Sequence, residues 1–264
     1  MKYSTTYPIT ASNIDERYRL SIDGLLTFHE NTVARYMTLL NLAAFDIQKT
    51  DRTWVISEIN LELPSPPSIW SEDIRITLWL SEMSSLRVWF DFIAEEVHSG
   101  KIAAKGNSCW SLISMSERRL IPCGGLIPES MLVNELSIGP HRKRNADKVS
   151  PDIFSSIEHR VNPLDLDFNG HMNNRRYVSM ALLSFGQSTL SLKRPDRLGI
   201  RFLKEARLGD TLSAKTFAME ENDSFVSKIT LEGTSEEICR VTSHWIPKEE
   251  VPDIADVNYV RNPR

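Results

Sequence analysis

The chain has 264 residues, with 31 lysines and arginines against 35 aspartates and glutamates, a formal net charge of −4. At roughly 100–200 residues per domain, that length suits one large domain or two small ones. Hydrophobic residues at 41% and charged residues at 25% belong to a folded globular chain and exclude wholesale disorder.

The slight acidity offers nucleic acid no global attraction. No run approaches the roughly 18 apolar residues of a membrane span. The opening residues, MKYSTTYPITASNIDERY, have neither the apolar core of a secretory signal nor the arginine-rich character of a transit peptide. Cys109, Cys123 and Cys239 are odd in number and widely spaced, which argues against a disulfide framework or a structural zinc. A reduced, cytoplasmic protein is expected.

In chain order, a short strand at 18–22 is expected to lead into a helix. Thr27-Phe28-His29-Glu30 has the Thr-x-x-Glu spacing of a capping box, and Val33, Tyr36, Met37, Leu40 and Ala44 then fall on one helical face. Strands are expected at 74–80, 87–92 and 103–114, with His98-Ser99-Gly100-Lys101 as a turn between two of them. Residues 117–150 contain Glu117-Arg118-Arg119, Gly124-Gly125 and His141-Arg142-Lys143-Arg144, a composition that suits an exposed connector. A second short strand at 158–162 precedes a helix whose apolar stripe is Tyr177, Met180, Ala181 and Phe185. Strands at 211–218, 225–231 and 239–246 follow, and the polar tail after Pro252 is expected to lie over the surface or fray.

This order repeats. Tyr36 and Tyr177 are 141 residues apart, Trp110 and Trp245 are 135 apart, and Glu72-Asp73 and Gly209-Asp210 are 137 apart. Such near-constant separations suggest duplication of a unit of about 130 residues. The units are placed at 1–125 and 151–264, with 126–150 connecting them. A long helix followed by an antiparallel sheet is the hotdog arrangement, and two such units pairing edge to edge cover each other's open edges. The expected fold class is therefore α+β, a double hotdog.

The densest polar cluster runs Asn162-Pro163-Leu164-Asp165-Leu166-Asp167-Phe168-Asn169-Gly170-His171-Met172-Asn173-Asn174. A loop entering a helix collects Asn and Asp as caps, yet a cap needs one such residue, not several carboxylates and amides with a histidine. Histidine is also the side chain best able to exchange protons near neutral pH. The stretch from Asp165 to Asn174, followed by Tyr177, resembles the signature of acyl-ACP thioesterases. Trp54-Val55-Ile56 and the run 108–119 are similar to segments of that family's first unit.

The resemblance implies a two-hotdog chain that hydrolyses fatty acyl-ACP, with the site in the second unit and the acyl pocket shaped by the first. It places Asp167, Asn169 and His171 in that site, with Glu205 in Leu203-Lys204-Glu205-Ala206-Arg207 completing it. Plant members carry a cysteine beside this glutamate, where the present chain has Ala206, so a water-based mechanism is expected, with Glu205 or His171 as base. In the first unit the matching place is read as Thr27-Phe28-His29-Glu30-Asn31, where His29 and Glu30 are expected to cap or face solvent.

The six tryptophans are expected in ordinary core more often than in an acyl tunnel. No GxGxxG or GxxxxGK[ST] is present, so no nucleotide cofactor or metal is implied. The implied partner is an acidic acyl carrier protein, which cations would meet. Arg175 and Arg176 are the favoured docking residues, with 193–197 and 142–144 as other candidates. Nucleic acid and membrane are not expected partners, and a homodimer is left open. The alternatives are an acyl-CoA thioesterase with the same site and a non-catalytic acyl-binding sensor.

Overall fold

The first half of the computed structural model, which describes residues 1–70, 72–139 and 148–248, contributes β1 (Lys2–Pro8), β2 (Arg52–Glu62), β3 (Asp73–Met83), β4 (Val88–Glu96), β5 (Ile102–Ser114) and the short β6 (Leu120–Ile121). The second half contributes β7 (Val149–Arg160), β8 (Lys193–Phe202), β9 (Thr211–Met219), β10 (Ser224–Leu231) and β11 (Glu237–Pro247). They join in one sheet of order β1-β3-β4-β5-β2-β8-β11-β10-β9-β7, with β6 paired to β5. The two halves mirror each other about the β2–β8 seam, where Ile59 faces Ile200 and Leu61 faces Leu198. Each half thereby covers the edge the other would leave open. The arrangement is the double hotdog, with α1 (Ile22–Leu39) packed on the first half of the sheet and α3 (Asn174–Leu183) on the second.

The helix α1 buries Leu25, Leu26, Phe28, Val33, Tyr36 and Met37 on one face. It begins earlier than the Thr27–Glu30 spacing suggests. Ser21 is the cap, accepting a hydrogen bond from the Gly24 N–H at 3.0 Å, while Thr27 sits inside the helix and donates to the Asp23 carbonyl at 2.7 Å. Asn41, with φ of 55°, ends the stripe, so Ala44 belongs to a separate turn, α2 (Ala44–Ile47). Tyr177, Met180 and Ala181 form the buried stripe of α3. Phe185 starts α4 (Gly186–Leu192) and packs on Trp245 with ring centroids 4.4 Å apart.

The strands expected at 74–80, 103–114, 211–218, 225–231 and 239–246 fall within β3, β5, β9, β10 and β11, and the one expected at 87–92 overlaps β4 from Val88. Residues 18–22 instead make isolated bridges, Ile14 with Leu20 and Arg19 with Ile69. Residues 158–160 are the end of β7, which starts at Val149. The connector is less free than its composition suggests. Trp79 donates its indole N–H to the Glu135 carbonyl at 2.8 Å, Ser137 donates to Asp91 at 2.8 Å, and Cys123 and Ile127 are buried. The basic run 142–144 and the tail after Pro252 lie outside the described residues. Among the described residues no helix is long and apolar enough to cross a membrane.

Candidate active site

The duplication reaches down to single hydrogen bonds. Trp110 and Trp245 each donate the indole N–H to the serine two residues earlier, Ser108 and Ser243, both at 2.9 Å. Ahead of each helix the loop is built on one aspartate. Asp15 accepts from the N–H groups of Arg17 and Arg19 at 2.9 and 3.0 Å, and Asp167 accepts from those of Asn169 and His171 at 2.8 and 3.2 Å. The turn inside this loop needs a left-handed residue, met by Tyr18 at φ of 58° and more cheaply by Gly170 at φ of 76°.

The first-half counterpart of Asp167-x-Asn169-x-His171 is therefore Asp15-x-Arg17-x-Arg19, not Thr27–Asn31. It keeps the carboxylate that folds the loop and lacks both the amide and the histidine. His29 is a core residue, its ring tilted against that of Phe92 and its Nε2 3.1 Å from the Ser108 hydroxyl, and burial pushes its pKa down to about 4.

In the second half the loop is zipped onto the chain beyond β8. His171 bridges to Arg207, the Met172 N–H donates to the Ala206 carbonyl at 2.9 Å, and the Ala206 N–H donates to the Tyr177 hydroxyl at 2.8 Å. This zip brings His171 Nε2 to 3.2 Å from Glu205 Oε2. Asp167 reaches the His171 main chain and so sets the path of the loop. Asn169 Oδ1 accepts from Gln48 Nε2 at 3.2 Å. Ala206 is buried beside Glu205, and burial pushes the thiols of Cys109, Cys123 and Cys239 up, so none is poised as a nucleophile.

Asp167, Asn169, His171 and Glu205 share one wall of a cavity of about 880 Å³. Facing them is an apolar lining from the first half, Val33, Met37, Trp54, Ile56, Trp110 and Ile113. Of the six tryptophans, Trp54 and Trp110 line the cavity, Trp79, Trp89 and Trp245 are core, and Trp70 stacks on Tyr18.

Two lining residues from the first half, Arg118 and Glu30, and Gln48, which reaches Asn169, are not legible in the sequence. Gln48 carries no motif. Arg118, which pairs with Glu205, lies in a charge run that reads as connector. Glu30 reads as a cap or surface residue, yet it lines the cavity opposite Arg175.

Arg175 is committed within that wall, with Nη1 2.7 Å from Asp23 and Nε 3.3 Å from Glu30. Its guanidinium thus bridges α1 and α3, paired with two carboxylates. Arg176 is exposed, 3.8 Å from Asp165. Lys193 and Arg197 pair with Asp223 and Glu221, and Arg194 is buried against the Leu63 carbonyl.

Burial pushes the Glu30 carboxyl up from 4.5 to about 7, against the pull of Arg175. The folded state then holds a proton that the unfolded chain has released, so stability falls as pH rises from about 4.5 to about 7. At about 1.4 kcal/mol per pH unit the effect is on the order of 3 kcal/mol. Glu30→Gln should flatten this slope and unfold at higher urea than the parent above pH 7. Urea titrations at pH 5 and pH 8 check it, and parallel slopes in the two proteins would refute it.

Family models of the acyl-ACP thioesterase N-terminal and C-terminal domains match residues 1–124 and 150–247. Among curated proteins, a chloroplastic acyl-[acyl-carrier-protein] hydrolase of Cuphea viscosissima is 22% identical over 226 residues, covering 82% of this chain and 55% of that protein. A chloroplastic oleoyl-acyl carrier protein thioesterase of Arabidopsis thaliana is 22% identical over 227 residues, covering 76% and 62%. The chain thus spans little more than half the length of these relatives. Among solved structures, an acyl-ACP thioesterase from Bacteroides thetaiotaomicron superposes with a TM-score of 0.80 at 21% identity, covering 93% of this chain and 98% of that one. A 12:0-ACP thioesterase from Umbellularia californica gives 0.79 at 16% identity, covering 94% and 98%. With family models matching both halves across most of its length, the chain belongs to the acyl-ACP thioesterase family.

Proposed function

We propose that the protein hydrolyses the thioester of a fatty acyl chain held on acyl carrier protein, releasing free fatty acid and carrier and so ending chain growth. The observation that carries this reading is the His171–Glu205 pair, 3.2 Å apart, in a cavity that also presents the apolar side chains of Val33, Met37, Trp54, Ile56, Trp110 and Ile113. The apolar side takes the acyl chain and the polar side takes the thioester.

Water attacks the carbonyl carbon and gives its proton to the His171–Glu205 pair, which is within hydrogen-bonding reach of itself and of the cavity. The carbonyl oxygen becomes an anion. Gln48 occupies Asn169 Oδ1, which leaves the Asn169 amide N–H to donate to that oxygen. Collapse expels the thiolate, and the proton held by the pair passes to sulfur. Asp167 acts one step back, fixing the loop that presents both Asn169 and His171.

The test is turnover of a panel of fatty acyl-ACPs and matched acyl-CoAs. Hydrolysis that requires the carrier protein is the expected result. Turnover of acyl-CoA alone would move the activity to the other carrier, and tight acyl binding with no turnover would make the protein a sensor.

A further inference from the structure

The loop after β5 is tied in a knot that the hydrolytic steps above do not use. Asp51 accepts from the Ser114 hydroxyl at 2.7 Å, the Ser116 hydroxyl at 2.6 Å and the Ser116 N–H at 2.9 Å. Its carbonyl accepts from the Met115 N–H at 3.0 Å. These bonds, those from Ser116 foremost, hold the Asp51 carboxyl below the usual carboxylate range. Two residues of the knot take the left-handed backbone that a Cβ disfavours, Asp51 at φ of 59° and Arg118 at φ of 55°. Strain of this kind persists only where surrounding bonds over-determine it, and it gathers at functional sites.

The knot's outcome is the placement of Arg118. Its N–H donates to the Ser114 carbonyl at 3.0 Å, closing the turn, and its guanidinium crosses to the second half to pair with the Glu205 oxygen that also meets His171. Arg118 is 46% exposed, and ion pairs so open to water contribute little to folding. Fold stability is thus a poor reason for two strained residues and a buttressed loop.

Resting on the hydrolase reading, we propose that Arg118 is a positioning residue for the reaction, a cation supplied by the first half that fixes Glu205 against His171 and is aimed by the Asp51–Ser114–Ser116 knot. A glutamate at a cavity mouth swings about three bonds unless something holds it. The planar guanidinium fork holds a carboxylate in orientation as well as in place. It also offsets a negative charge that would otherwise face the oxyanion of the transition state. The site is then complete only when both halves are present.

The test uses the full chain and a small synthetic acyl thioester, so that carrier docking plays no part. Arg118→Ala should lower kcat by on the order of 10²-fold, the cost of misplacing a reacting group by about 1 Å, with KM little changed. Added guanidinium ion should restore part of the lost kcat in this variant and none in the parent. Arg118→Lys, which keeps the charge without the fork, should fall between them and carries the test if the alanine variant does not fold. Asp51→Ala should lower kcat in the same direction with Arg118 intact. Independently of turnover, the ring resonances of His171 should move in Arg118→Ala. Unchanged kcat with unmoved His171 resonances would overturn the proposal, as would a loss that appears in KM and is not restored by guanidinium. If the parent itself hydrolyses no thioester, the hydrolase reading fails, while the His171 resonances still decide whether Arg118 sets the geometry there.

Discussion

His171→Ala is expected to lower kcat for acyl-thioester hydrolysis by about 10²–10⁴-fold, the range for loss of a general base, with thermal unfolding close to that of the parent. The ring faces the cavity and pairs with Glu205, so its removal empties part of a site rather than of the core. Glu205→Gln should cost a similar factor. The informative variant is the double, which should be little worse than either single, because residues that act as one unit are strongly non-additive. Losses that multiplied would show the two acting separately and break the assignment of the proton to the pair. Asn169→Ala should cost on the order of 10²–10³-fold, as for the loss of one oxyanion donor. Steady-state rates on acyl-ACP, with circular dichroism to confirm folding, read all four variants.

These losses should concentrate in kcat because the constellation is held from both sides before substrate arrives. Asp167 folds the loop through two main-chain N–H groups, and Tyr177 pins Ala206 from below. Gln48 and Arg118 reach over from the first half to Asn169 and Glu205. Preorganised donors of this kind act on charge that develops only in the transition state. A duplicated fold makes the arrangement economical, since one half keeps the loop geometry with Arg17 and Arg19 while the other carries the histidine and amide.

Much of this was legible in the sequence. The period of 3.6 in Val33-Tyr36-Met37 and in Tyr177-Met180-Ala181 marks helices that do lie on the sheet, and the alternation at 74–80 marks β3. The edge strand β7 is mostly polar with Pro151 near its start, and β8 carries Pro195 among charges, so neither shows a simple strand pattern. Thr-x-x-Glu does not mark the cap of α1, because the spacing also occurs inside a helix, where Thr27 bonds back to Asp23. The two loops share a carboxylate and a backbone path but little else, so residue types alone do not align Asp15–Arg19 with Asp167–His171. Residues that join the site through tertiary contact leave no local signal. Gln48 is an ordinary polar residue after a turn, Arg118 is one cation in a charge run, and Glu30 is known as a cavity residue only once α3 is packed beside α1.

Carrier recognition should depend on the rim of the cavity rather than on Arg175. Leu164, Phe168, Leu203 and Leu208 are all large, apolar and exposed, with Phe168 at 76% and Leu164 at 85%, and all sit in the two loops that carry the site. Phe168, Leu203 and Arg207 line the cavity itself, and the Arg207 side chain has no partner among the described residues. An apolar rim with exposed cations suits an acidic partner that also presents apolar side chains, the chemistry proposed for the carrier. Interface hot spots favour aromatic and arginine side chains, each worth about 2 kcal/mol or more. Phe168→Asp with Arg207→Glu is therefore expected to raise KM for acyl-ACP by on the order of 10²–10³-fold, while kcat/KM on a small synthetic acyl thioester changes little. Arg176→Glu, at the edge of the rim, should act in the same direction and more weakly. Because the synthetic substrate uses the catalytic groups without the carrier, an equal loss on both substrates would mean that the rim shapes the site and that the carrier docks elsewhere.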